Sequence, residues 1–167
     1  MSAGRGKQRR AAVPRHGGFT LLGALILISV MGAGLAAYGE FASHAAQREK
    51  EQELLFAGNQ FRQAIAAYYE RTPGAFKRFP QKLDELLLDT RQPVSQRYLR
   101  KIYPDPMTGK AQWGLIDAPE GGIMGVYSLS QAQPVQSGGF ATRDSDFADA
   151  ARYSDWRFTY LPPIPAN

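Results

Sequence analysis

Twenty consecutive residues without a charge, Phe19 to Tyr38 (FTLLGALILISVMGAGLAAY), constrain this chain more than any other feature. A helix rises ~1.5 Å per residue, so the stretch spans ~30 Å, one bilayer hydrocarbon core. Gly23, Gly32 and Gly34 would weaken a soluble helix, whereas membrane helices tolerate glycine and use it for close contact. Residues 1–18 carry Arg5, Lys7, Arg9, Arg10 and Arg15 and no acid, and Glu40 follows the apolar run. The positive-inside rule then predicts a single pass with the basic leader in the cytoplasm and the bulk of the chain across the membrane. A secretory signal has the same ingredients, but its apolar region is ordinarily ~7 to 15 residues long. Here the run continues into a helical pattern instead of a turn.

A chain of 167 residues leaves room for one modest domain beyond that segment. The net charge of +5 suggests a nucleic-acid partner at first sight. Without the leader's five cations, however, 15 basic face 15 acidic side chains, so the body is formally neutral and offers no footprint for nucleic acid. The absence of cysteine excludes disulfides, zinc-thiolate sites and thiol nucleophiles.

From residue 39 to 71 the chain is rich in Ala, Gln, Glu and Arg, contains no proline, and stops at Thr72-Pro73-Gly74. Leu54, Gly58, Phe61, Ile65 and Tyr68 recur at steps of 4 and 3, a stripe able to pack on a small domain; Gln47–Glu53 reads as lacking it. Gly39 and Gly58 are the points where a helix from 19 to 71 would bend or melt most easily. Pro80 to Leu88 predicts a short second helix, and Tyr103-Pro104-Asp105-Pro106-Met107-Thr108-Gly109 a turn. Strand signals lie at Gln112–Ile116, Ile123–Leu129 and Trp156–Leu161. Gln131–Ser154 reads as a long polar surface loop with one helical turn near Phe147–Ala151. The expected fold is α+β, a long N-terminal helix packed on a small antiparallel sheet, with residues 72–167 as the globular region.

The order basic leader, Gly18-Phe19-Thr20-Leu21-Leu22, then unbroken apolar helix resembles the prepilin signature of type IV pilins and type II secretion pseudopilins. Arg100–Gly109, Trp113-Gly114-Leu115 and Gly125-Val126-Tyr127-Ser128 resemble the body of a G-type pseudopilin. The resemblance implies cleavage between Gly18 and Phe19 by prepilin peptidase and N-methylation of Phe19. It also implies an inner-membrane protein with a periplasmic domain, assembling with other pseudopilins on an inner-membrane secretion platform into a pseudopilus that helps export folded proteins. One position departs: the family usually carries Glu where this chain has Gly23. That carboxylate is thought to pair with a neighbour's methylated amine in the apolar filament core, where an unpaired cation is costly. Gly23 therefore points to a minor or divergent subunit that depends on Glu-bearing partners. The competing readings are a minor pilin of a type IV pilus and an uncleaved, membrane-anchored periplasmic binding protein.

The resemblance also raises calcium as a possible ligand. Asp117, Asp144, Asp146 and Asp149 are the candidate donors, since carboxylates suit calcium, although their spacing departs from an EF-hand. With no cysteine, one histidine beyond the leader (His44) and no Gly-x-Ser-x-Gly or phosphate-loop pattern, no catalytic constellation is visible, and the expectation is a structural subunit rather than an enzyme. Adjacent Asp84 and Glu85 read as a solvated face. Trp113, Tyr127, Trp156, Phe158 and Tyr160 are expected to pack the sheet against the helix.

Overall fold

The computed structural model describes residues 17–74 and 76–163, side chains excepted at 17–20 and 33–43. One helix, α1, runs Gly17–Glu70 and passes uninterrupted through Gly39 and Gly58. The chain divides into two compact units, residues 1–43 and 44–167.

In the first unit the leader up to residue 16 lies outside the described residues, while Gly18 and Phe19 fall in the first turn of α1. The eight large apolar side chains between Leu21 and Met31 are 56–66% exposed. They point to every side, because successive helical residues are turned by ~100°. Ser29, the one polar side chain among them, donates its hydroxyl to the Leu25 carbonyl at 2.8 Å. Among the described residues no helix is long and apolar enough to cross a membrane. The expected span Phe19–Tyr38 falls partly outside them.

In the second unit α1 presents the anticipated stripe to a core: Leu54, Phe61 and Ile65 are wholly buried, and Gly58 and Tyr68 lie buried with them. Three strands complete the core, β1 (Gly114–Asp117), β2 (Ile123–Tyr127) and β3 (Arg157–Thr159), antiparallel in the order β1-β2-β3. Leu115 pairs with Val126 and Val126 with Phe158, so these three share one face, on which Val126 and Phe158 are fully buried in the core while Leu115 at the sheet edge stays exposed. Gly114, Tyr127 and Arg157 share the opposite face. Tyr127 therefore does not pack between sheet and helix as expected. Its ring lies over Gly114, where a Cβ would fall 2.2 Å away.

Two other expectations change. The second helix is a 3₁₀ turn at Leu83–Leu86. The Leu86 carbonyl already accepts the N–H groups of Tyr98 at 3.0 Å and Leu99 at 2.9 Å, which leaves it no part in a continuing helix. Gln131–Ser154 is also more than a polar surface loop. It winds through 3₁₀ turns at Thr142–Asp149 and Tyr153–Asp155 and lends Phe147 and Tyr153 to the core, Phe147 stacking on Trp156 at 5.3 Å.

The C-terminal end of α1 has no basic residue in its last turn, yet its free carbonyls are met by groups from later in the chain. Lys77 donates to the Glu70 carbonyl at 2.6 Å, Arg91 to that of Tyr68 at 3.2 Å and Gln92 to that of Arg71 at 2.8 Å.

Candidate functional site

The polar stretch ahead of the stripe holds the first anchor. Glu51 is fully buried, contrary to the reading of Gln47–Glu53 as lying off the packed face. Its Oε1 accepts the N–H groups of Val135 at 2.6 Å and Gln136 at 3.1 Å and the Tyr153 hydroxyl at 2.8 Å. Gln47 adds a donor to the Tyr153 hydroxyl at 3.0 Å. Burial, with the carboxylate beside it, pushes the Tyr153 phenol up to about 12. Among the described residues Glu51 Oε2 meets no donor. The signal for Glu51 was present: stepping back 3 from Leu54 lands on it, and stepping forward 4 from Tyr68 lands on Thr72, also buried.

The calcium candidates do not come together. Asp144 is 3% exposed and faces a cation, Arg62, whose Nη1 lies 2.7 Å from its Oδ1; Arg143 Nε stands 3.5 Å from Oδ2. Arg62 also reaches Asn59 at 2.8 Å and lies over the Phe158 ring at 5.5 Å. Asp117 on β1 and Asp146 and Asp149 in the 3₁₀ turn are exposed. Among the described residues no three acidic or histidine side chains gather as a metal site would require. The donor set that the family resemblance brings to mind therefore does not fit a calcium ion here, because its most buried member is already neutralised by a guanidinium.

Asp105 is the third buried carboxylate and locks the Tyr103–Gly109 turn. Its Oδ1 accepts the Met107 N–H at 2.9 Å, and its Oδ2 accepts the hydroxyls of Thr108 at 3.0 Å and Ser128 at 2.8 Å. Trp113 Nε1 donates to the Tyr103 carbonyl at 2.8 Å. The Pro-Asp-Pro-Met-Thr-Gly turn and the Gly-Val-Tyr-Ser segment, separate in the sequence, thus meet through Asp105 and Ser128.

A fourth cluster sits where α1 ends. Arg91 grips Asp89 with Nε at 2.8 Å and Nη2 at 2.7 Å, donates to Thr72 Oγ1 at 2.9 Å, and lies 3.5 Å above the Tyr68 ring. The guanidinium hydrogen bonds hold the Asp89 carboxyl down at about 2. The Tyr68 phenol is raised, by burial first and then by its hydrogen bond to Glu85. Glu85 is accordingly a partner of the helix and not a free solvated acid. Three of the four clusters are suited to holding later segments in register on α1, through Glu51, Arg62 and the Arg91 contacts to Tyr68 and Thr72, while Asp105 ties its own turn to Ser128.

Gly18, Phe19 and Gly23 all lie in α1, and a Cβ built on Gly23 meets nothing within 4 Å. No family model, curated protein or solved structure matches this chain.

Proposed function

We propose that this chain is a structural subunit of a type II secretion pseudopilus, cleaved after Gly18 by prepilin peptidase, N-methylated at Phe19, and held in the inner membrane with its α+β body in the periplasm. The observation that carries the reading is the collar of large apolar side chains from Leu21 to Met31, more than half exposed on every side. The same helix goes on to supply the buried stripe of a folded body. Exposed to water, each such side chain forfeits ~1.5–3 kcal/mol of burial, so a lipid or helix-bundle environment is the one that suits them. Satisfaction of Ser29 within its own helix fits the same environment.

Gly23 supports the assignment to a minor or divergent subunit. With open space around its Cβ position, nothing in the single chain forbids a glutamate there. The missing carboxylate is then a matter between subunits, and Glu-bearing pseudopilins would supply it. The partners are prepilin peptidase, those pseudopilins and the inner-membrane secretion platform.

Mass spectrometry of the mature N-terminus tests the reading. N-methyl-phenylalanine at position 19, absent from a strain without prepilin peptidase, is the expected result. An intact leader in the presence of active peptidase overturns it, as would homopolymeric filaments formed without any other pseudopilin for the minor-subunit part.

A further inference from the structure

Phe56 stands off the buried stripe of α1 and is 56% exposed. The Tyr103 ring meets it edge-on at 5.8 Å, and Lys101 Nζ lies 5.4 Å from the Tyr103 centroid. With Pro104, Pro106 and Glu53 these residues line a groove of about 350 Å³. Its far wall is rigid, because the buried Asp105 between the two prolines is fastened by Met107, Thr108 and Ser128. An aromatic and proline-lined groove, preformed in this way, suits an extended proline-rich segment. Polyproline II has little conformational entropy left to lose and presents its rings to flat aromatic faces.

The chain carries such a segment itself, Leu161-Pro162-Pro163-Ile164-Pro165, and no residue from Phe158 to Asn167 is charged. Leu161 is 71% exposed. We propose that the Phe56–Tyr103 groove receives the Leu161–Pro165 segment of a second copy of this chain. Geometry excludes a contact within one copy. Tyr160 bonds Glu70 and lies 5.9 Å from the Tyr69 ring, so the segment starts beside Tyr69, thirteen residues or ~20 Å along α1 from Phe56. Five residues of polyproline II reach ~16 Å at most, along a course that begins by lining a different groove with Tyr69 and Phe79. Groove and segment lie on different surfaces, so the contact is heterologous and joins the bodies of two copies. It deepens the subunit reading and rests on it for the expectation that copies meet. It joins bodies, whereas the filament core and its missing carboxylate at position 23 are a separate requirement.

The test uses full-length chain in detergent micelles, followed by sedimentation equilibrium, with Phe56→Ser and the double variant Pro162→Ser, Pro163→Ser. Near-UV circular dichroism checks that each is folded. Each variant alone should self-associate at least ~10-fold more weakly than wild type. Their equimolar mixture should recover one-to-one pairs of wild-type affinity and stop there, because one partner keeps the groove and the other the segment. A synthetic peptide of residues 160–167 should dissociate wild-type assemblies, an arm that requires no groove variant to fold. A mixture no tighter than either variant alone, a proline variant that associates like wild type, or a peptide without effect overturns the proposal. None of these variants lies near Gly18, so failure here leaves the cleavage result untouched, and failure of cleavage leaves this one readable.

Discussion

The Phe158 ring occupies the place where any residue other than glycine at position 58 would put its Cβ, 2.4 Å from that point. The ring cannot withdraw: it is fully buried, with Phe147 5.2 Å away on β3's flank and Arg62 over its face. Gly58 is therefore the point of closest approach between α1 and the sheet, and not the weak point of the helix.

Gly58→Ala should accordingly destabilise the protein although alanine is the better helix former. The helix gains ~1 kcal/mol, and overpacking costs ~1–3 kcal/mol. The net is a loss of up to about 2 kcal/mol, read as a lower urea midpoint by tryptophan fluorescence. Gly138→Ala, where a Cβ meets nothing within 4 Å, serves as the neutral control. Equal midpoints for wild type and Gly58→Ala would refute the close-approach argument.

The carboxylate of Glu51 should matter more than its place in a charged run suggests. Glu51→Ala leaves two N–H groups and the Tyr153 hydroxyl without their acceptor, a loss of about 2–4 kcal/mol. Glu51→Gln keeps one acceptor oxygen and should cost less. Because Tyr153 packs on Trp156 at 5.4 Å, the near-UV circular dichroism of Trp156 should change with the same rank order, alanine most. The reverse order would show that the charge, rather than the acceptor, holds the loop.

These two positions show what was legible in the sequence and what was not. The periodicity of Leu54, Gly58, Phe61, Ile65 and Tyr68 marked the buried face, and β-branched and aromatic runs marked all three strands to within a few residues. Glu51 lies on the same 3–4 step, but a carboxylate there adds no apolar signal to the stripe. What no local pattern encodes is pairing across distance. Arg62 and Asp144, Asp105 and Ser128, and Arg91 and the end of α1 are each joined only by the tertiary fold, so Asp144, a metal candidate by residue type, serves the chain itself. The polar composition of residues 131–154 likewise concealed Phe147 and Tyr153, two side chains that the segment buries in the core.

The Asp89–Arg91 pair should give the body an acid limb. The Arg91 hydrogen bonds lower the folded-state value of Asp89 from its ordinary 3.8 to about 2, so its contribution is fully present above pH ~4 and is lost as pH falls through ~2. That contribution amounts to about 2 kcal/mol. Urea midpoints between pH 5 and 2 should fall more steeply for wild type than for Asp89→Asn. Tyr153 and Tyr160, each pushed up to about 12 by burial and a neighbouring carboxylate, set the opposite limb. Raised phenols contribute stability below pH ~10 that is lost between ~10 and 12. Tyrosinate absorbance should therefore rise late and together with unfolding. Parallel acid slopes in wild type and Asp89→Asn would remove Asp89 from the account.

Arg62 stands against Asp144, where a metal reading would place an ion. With Asp144 only 3% exposed and its Oδ1 2.7 Å from Arg62 Nη1, the carboxylate is already neutralised inside the protein. Removing one partner of such a buried pair leaves an uncompensated charge, which costs ~3–5 kcal/mol. Arg62→Ala should therefore be among the most destabilising single changes in the body, with Arg143 at 3.5 Å recovering only part because its side chain is 59% exposed. Millimolar calcium or EDTA should leave the Tm of the wild type where it is, since a ligand raises Tm only by binding the folded state. A calcium-dependent rise in the wild-type Tm would show that donors other than the four aspartates make a site. A rise confined to Arg62→Ala would mean that the ion can take over the place the guanidinium has left.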